Sequence, residues 1–267
     1  MRSNRALRAA PSVSMFRRTV WQYWRRNGRH SLPWRQTTDP YAILVSEVML
    51  QQTQVDRVVP YFTRWMETFP TPAVLAEAPL ADVLTLWSGL GYNRRAKFLH
   101  EAAKRIVAQR EANVPSAYAE LRALPGVGEY TAKAVRVFAF DEPEVLIETN
   151  VRSVFIHHFF PRARSVSDAR LLPLIAAALD ARHPREWYAA LMDYGTFLKA
   201  TTPNPSRKSR HHTKQSRFAG SLREVRGAIL KAFIGKSDLA RVRTAYPTRF
   251  DEAYRALVRE GFIDAAQ

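Results

Sequence analysis

"LPGVGEYTAKAV", residues 124–135, is the stretch whose reading decides the fold of this chain. A proline followed by two glycines framing a valine makes a tight turn, and a run of helix formers follows at once. Glycine tolerates positive φ and lets bare backbone N–H groups come close to a partner. A helix that starts directly after such a turn adds its own unsatisfied N–H groups and the positive end of its dipole, which together seat an anion. A dinucleotide site would use that seat, but it needs a strand before the turn and a third glycine. Here the preceding "PSAYAELRAL" (115–124) places Tyr118, Leu121 and Leu124 at spacings of three after a Pro–Ser start, which predicts a helix.

The unit is therefore helix, turn, helix, the arrangement of a helix–hairpin–helix. In that motif the N–H groups around Gly126, Val127 and Gly128 hold a DNA backbone phosphate without reading sequence. An ordinary glycine turn between two packed helices would read the same on this segment alone, so the rest of the chain has to decide.

Composition narrows the partners. The chain has 267 residues, 46% of them hydrophobic, enough for one large or two modest domains with real cores. Lys and Arg number 41 against 24 Asp and Glu, a net charge of +17 with a pI near 10.6. Such an excess predicts attraction to a polyanion, nucleic acid before an anionic membrane. No apolar run approaches the roughly 18 residues of a membrane span, so no membrane partner is expected. There is no cysteine, which excludes disulfides, thiolate catalysis and cysteine-held zinc or iron–sulfur sites. The seven histidines show no ligand-like spacing with acids, so no bound metal is expected.

Along the chain, residues 1–15 read as a basic flexible arm, an organellar transit peptide being the competing reading. No signal-peptide apolar region is visible; a cytoplasmic or nucleoid address of bacterial type is expected, with organellar and nuclear addresses as the alternatives. "FRRTVWQYWRR" from Phe16 reads as an amphipathic helix, and Asp39–Pro40 form an N-cap and first-turn pair for the next one. Short helices opened by Pro60, Pro72 and Pro79 follow, then two helices broken at Gly89–Gly91. Strand-like alternation is scarce, so the body is expected to be all-α over 16–200. From Lys199 to Lys231 nine Lys/Arg stand against one acid, Glu224. Residues 201–219 read as a basic loop or linker, and 220–267 as a small helical or winged-helix unit.

The chemistry centres on "PYAILVSEVMLQQTQV" (40–55), where Glu47 sits in the middle of an apolar helix. Such a Glu is either turned to solvent or held in a partly buried site with a raised pKa. The amides of "LQQTQ", where a helix would ordinarily continue its apolar stripe, favour a site that reaches into an opened base pair.

"SLPWR", "SEVMLQQTQV", "LWSGLGY", "LPGVGEYTAKAV" and "NVRSV" stand in the order found in adenine DNA glycosylases of the MutY type, within the helix–hairpin–helix glycosylase superfamily. The resemblance covers about residues 16–200 and implies a two-lobed all-helical fold acting, as a monomer, on double-stranded DNA that carries a mispair or lesion. It implies that Glu47 is the catalytic acid that protonates the departing adenine. Gln51 and Gln52 would approach the lesion pair, and Tyr92 would wedge into the duplex beside the opposite base. Tyr130 stands where bifunctional relatives carry a Schiff-base lysine; a phenol forms no imine, so the enzyme would be monofunctional, with water as the final nucleophile. Asn150 matches the asparagine of the family's Asp-Gly-Asn-Val stretch.

Hydrolysis of an N-glycosidic bond needs a proton for the base and a negative group beside the developing oxocarbenium ion. Two carboxylates of opposite protonation tendency meet that need. The second should fall in "IETN", where Glu148 replaces the family's aspartate with a side chain one methylene longer. Asp193 in "LMDYG" is the next candidate. The family closes this domain with four cysteines around an iron–sulfur cluster. Here the corresponding region is basic and cysteine-free, so the cluster is expected to be absent and Arg207, Lys208 and Arg210 to contact phosphate. About 50 residues follow the basic stretch, so the family's full C-terminal domain for 8-oxoguanine is not expected. The readings left open are excision of adenine opposite 8-oxoguanine or guanine, excision of thymine or uracil opposite guanine, and DNA binding without catalysis.

Overall fold

The computed structural model describes residues 11–213, 217–235 and 237–263. Residues 1–10 of the expected basic arm and 214–216 of the basic loop lie outside the described residues. Those described form fourteen α-helices and no strand, apart from one isolated parallel bridge between Val166 and Ser209. The all-α expectation holds. In chain order the helices are α1 (Val13–Asn27), α2 (Pro40–Leu50), α3 (Val55–Thr68), α4 (Pro72–Glu77), α5 (Leu80–Trp87), α6 (Arg94–Arg110) and α7 (Tyr118–Ala123). They continue with α8 (Glu129–Phe140), α9 (Thr149–Phe159), α10 (Asp168–Ala178), α11 (Pro184–Thr201), α12 (Leu222–Ile234), α13 (Leu239–Ala245) and α14 (Phe250–Arg259).

Two compact units emerge. The first holds the described residues up to Ile43, Ser116–Arg122 and Val127–Thr213; the second holds Leu44–Pro115, Ala123–Gly126 and the described residues beyond Thr213. In the first unit, Phe16, Val20 and Trp24 stand at spacings of four and turn one face of α1 into the core, where Phe155 of α9 and Trp187 of α11 meet it. The Phe16 and Phe155 rings lie 4.9 Å apart. Arg17, on the same helix, closes the end of α10 by donating to the Ala178 carbonyl at 2.9 Å and to that of Leu179.

The second unit is built on Trp65 and Trp87, edge to face at 5.5 Å, with Val58, Leu75, Leu99 and Ile106 buried around them. Helices α12, α13 and α14 belong to this unit rather than standing apart, and α12 packs on α14, α13 and α5. Val225, Ile229, Phe250 and Leu257 supply their apolar contact. Glu260 ties this segment to α6: it holds Arg226 through paired bonds of 2.8 and 2.7 Å, and its carbonyl accepts from Lys97.

Candidate active site and DNA-facing residues

The Asp39 carboxylate starts α2 by accepting from the Tyr41 and Ala42 N–H groups at 3.0 and 3.3 Å. Residues 41–49 are then buried without interruption, so the helix has no solvent face there, and Glu47, at 8% exposure, is the only charged side chain in the run. Of the two readings left open, the exposed glutamate is ruled out. Burial on all sides is a tertiary property that helical spacing cannot reveal.

The amides of "LQQTQ" stand past the helix rather than on it. Helix α2 ends at Leu50, and residues 51–54 form a turn in which Gln52 has φ of 55°. Arg95 is the reason the helix can stop there. Its Nη1 donates to the carbonyls of Val48, Met49 and Gln51 at 2.9, 2.8 and 2.8 Å, satisfying groups that a helix end leaves without partners. Its Nη2 donates to Thr53 Oγ1 at 3.1 Å and to the Gly91 carbonyl at 2.9 Å. Desolvation lowers the Arg95 pKa to about 10, which leaves it cationic at neutral pH. One buried guanidinium thus joins the helix of Glu47 to the turn that carries Tyr92. Sequence reading missed Arg95, because nothing in "NRR" tells the arginine that turns inward from the one that does not.

Tyr92 follows a turn whose carbonyls are held from several sides. Tyr61 Oη donates to Ser88 O at 2.9 Å, Arg57 to Gly89 O, and Trp87 Nε1 to Gly91 O at 3.0 Å. A cleft of about 1060 Å³ in this unit is lined by Gln51, Gln52, Tyr92, Gly126 and Arg223 among others.

The first unit carries the other candidates. Glu148 is the N-cap of α9: its Oε1 accepts from the Val151 N–H at 2.8 Å and its Oε2 from Asn150 Nδ2 at 3.1 Å. Burial pushes its pKa up, opposed by the hydrogen bonds of Asn150 and Val151 and by the charges of Lys199 and Arg152. Its backbone is extended, as an N-cap requires, with φ of −142°. Asn150 is positioned by α11. Thr196 Oγ1 donates to its Oδ1 at 3.4 Å, and a Cβ on Gly195 would stand 2.5 Å from its carbonyl oxygen, so only glycine permits this approach. Tyr130, on the first turn of α8, is half-buried against the same core. Asp193 does not join this group. It is 3% exposed and clamped by Arg29 and Arg35, which occupy both oxygens at 2.7 to 2.9 Å.

At the hairpin, Gly126 has φ of 75°, and a Cβ there would meet the Phe98 Cβ at 2.6 Å, so the residue must be glycine. Gly128 is the N-cap of α8, and a Cβ there would meet nothing within 4 Å. The Val127 side chain is buried and its carbonyl accepts from Arg122 at 2.6 Å, so only its N–H remains to offer.

The basic loop is ordered where it is described. Pro205–Lys208 form a 3-10 turn capped by Asn204, and Ser209 bridges Val166. Arg207 and Arg210 are exposed, while Lys208 spends its ammonium on the Pro161 carbonyl at 2.6 Å. An iron–sulfur cluster does not fit here, because the chain offers no thiolate. Among the described residues no three His, Asp or Glu side chains gather as a metal site, and no helix is long and apolar enough to cross a membrane.

Comparison with known proteins agrees with this geometry. Residues 45–173 match the family described as "HhH-GPD superfamily base excision DNA repair protein". An adenine DNA glycosylase of Mycolicibacterium smegmatis is 36% identical over 265 residues, with 90% of each chain covered. That of Mycobacterium tuberculosis is 41% identical over 187 residues, covering 67% of this chain and 61% of the relative. Among solved structures, a thermostable thymine-DNA glycosylase superposes with a TM-score of 0.63 at 24% identity, over 71% of this chain and 88% of its own. Endonuclease III bound to DNA gives 0.57 at 20% identity, over 79% and 91%. These last two share the fold. With the buried Glu47, the glycine hairpin and a relative matched over nine-tenths of its length, the chain belongs to the adenine DNA glycosylases of the HhH-GPD base excision repair superfamily.

Proposed function

We propose that the chain hydrolyses the N-glycosidic bond of an adenine mispaired with guanine or 8-oxoguanine in double-stranded DNA, acting as a monomer and without a cofactor. The observation that carries this reading is Glu47: one carboxyl, 8% exposed, on a helix that is otherwise wholly apolar through residues 41–49 apart from Ser46. Base flipping brings the nucleotide to this carboxyl. Glu47 protonates a ring nitrogen of the leaving adenine as the bond to C1′ breaks. Glu148 supplies the negative charge that stabilises the oxocarbenium ion. Water adds its oxygen to C1′ and gives up a proton that restores the Glu47 carboxyl, leaving an abasic site and free adenine. Tyr130 offers no amine, so no imine forms and strand cleavage is left to alkali. Asn150 holds Glu148, and Gly126, Val127 and Gly128 present N–H groups to a phosphate. Arg207 and Arg210 add sequence-independent attraction, with Lys208 contributing through the loop it anchors.

The test is a gel assay on duplexes with A opposite 8-oxoguanine, A opposite guanine, and T or U opposite guanine, treated with alkali after incubation. Alkali-dependent cleavage at adenine is expected, and cleavage at T or U would replace this reading by the thymine/uracil one. Glu47→Gln should lower the single-turnover rate by ~10² to 10⁴ while duplex affinity stays within a few-fold. A rate near wild type would remove Glu47 from the mechanism.

A further inference from the structure

We infer that Lys199 binds substrate: its ammonium takes one of the two backbone phosphates that flank the excised nucleotide and so holds that sugar against Glu148. The inference deepens the proposed excision and rests on it for placing Glu148 beside C1′. The sugar that Glu148 faces carries one phosphate on its 3′ oxygen and another on its 5′ oxygen. A cation close to that carboxylate is therefore close to strand phosphate as well.

Packing sets Lys199 there. On α11, Gly195, Thr196 and Lys199 stand at spacings of three and four and share one face. The first two meet the start of α9: a Cβ on Gly195 would stand 2.5 Å from the Asn150 carbonyl oxygen, and Thr196 Oγ1 donates to Asn150 Oδ1 at 3.4 Å. Asn150 in turn donates to Glu148 Oε2 at 3.1 Å. One turn on, the same face carries Lys199, and the charges of Lys199 and Glu148 act on each other. Lys199 is half-buried, with exposed Thr196 and Ala200 beside it, so a strand can reach its ammonium.

The neighbouring cations are already committed. Arg152 holds both oxygens of Asp168, at 2.9 and 2.7 Å, and Arg29 Nε donates to Asp193 Oδ1 at 2.7 Å. Among the described residues the Lys199 ammonium makes no hydrogen bond and no ion pair; Glu148 and Arg29 reach it through their charges alone. Withdrawing an unpaired cation from water is unfavourable. Burial accordingly lowers the Lys199 pKa, with Glu148 opposing that shift and Arg29 adding to it. A phosphodiester oxygen supplies the missing acceptor, for which a lysine serves as a point charge. It also draws the lysine's charge away from Glu148, which leaves the carboxylate less neutralised for the oxocarbenium ion. As a last-turn cation Lys199 also favours the C-terminal end of α11, but that role links it to no particular phosphate.

The test is a coupling cycle in single-turnover adenine excision, on duplexes with an uncharged methylphosphonate in place of the phosphate 5′ or 3′ of the target adenine. One of the two replacements should slow wild type by about 10- to 100-fold, as for loss of a hydrogen bond to a charged group. Lys199→Met keeps the stem and loses the charge. It should be slowed as much on the natural duplex, and that same methylphosphonate should then slow it by less than about threefold more. Lys199→Arg should recover most of the rate. The ratio between duplexes within one variant does not depend on how much of it is folded, so a destabilised variant still reports. Overturning results are a methylphosphonate penalty in Lys199→Met equal to that in wild type, no penalty from either replacement in wild type, or a wild-type rate in Lys199→Met. If wild type excises no adenine, the excision reading fails, and the same cycle in equilibrium affinity for a duplex with a tetrahydrofuran abasic analogue decides. Coupling between Lys199 and one phosphate supports the contact, and additive losses remove it.

Discussion

Glu148 and Asp193 are two carboxylates of the same unit, the one half-buried on α9's cap and the other buried in α11, and they have opposite fates. Asp193 receives the Arg29 N–H and side chain and the two-pronged Arg35 guanidinium, which hold its pKa below the usual carboxylate range although burial, the largest influence, works against them. Glu148 receives two amide donors and only the longer-range field of Lys199 and Arg152, so burial wins and its pKa rises. Lys199 shows the same weak coupling from its side: desolvation pulls it down despite Glu148. The lesson is that burial alone does not mark a catalytic acid. A carboxylate whose charge is already neutralised by bound cations has little left to offer a developing positive charge, whereas one left under-neutralised does.

Replacing Glu148 should hit chemistry first. Glu148→Gln keeps the capping shape but removes the charge, and it should cut the single-turnover rate by about 10² to 10³. Glu148→Asp should keep a measurable rate. Because its pKa is raised above 4.5, the active carboxylate is lost as pH falls toward that higher value, so the acid limb of the rate profile should lie above 4.5. A rate for Glu148→Gln equal to wild type would make the carboxylate a cap and nothing more.

Replacing Asp193 should hit the fold instead. Asp193→Asn leaves two arginines facing an amide, and the loss should be about 3 to 5 kcal/mol of stability by denaturant unfolding. The excision rate per folded molecule should hold. The pH window lies below that of Glu148: a depressed carboxylate pKa stabilises above the ordinary value of 3.8, and that contribution disappears as pH falls through the lower folded value. A variant that melts like wild type but fails to excise would move Asp193 into the mechanism and erase the contrast.

The smallest effect is expected at the basic loop, where charges stay in water. Neutralising Arg207 and Arg210 should flatten the log affinity against log salt slope for undamaged duplex by up to about 2, while Lys208, tied to Pro161, should add less. An unchanged slope would leave the loop as a brace for Val166 rather than a DNA contact.

Much of this was legible without coordinates, where the cause is local. Gly126 announces a positive φ, Asp39–Pro40 a helix start, and the proline-punctuated apolar periodicity an all-α body, because each depends on neighbours a few residues away. The net charge of +17 announces a polyanionic partner for the same reason: a sum needs no fold. What only the tertiary structure decided depends on groups brought from far along the chain. Glu47 is buried because neighbours cover every side of its helix, not because of its spacing. Asp193 is a clamped structural carboxylate in this fold because Arg29 and Arg35, some 160 residues earlier, close over it. Arg95 ends α2 from 44 to 47 residues away, so "LQQTQ" becomes a turn. The burial and pairing of charge are set by contacts between distant segments, and those contacts come into being only when the chain has folded.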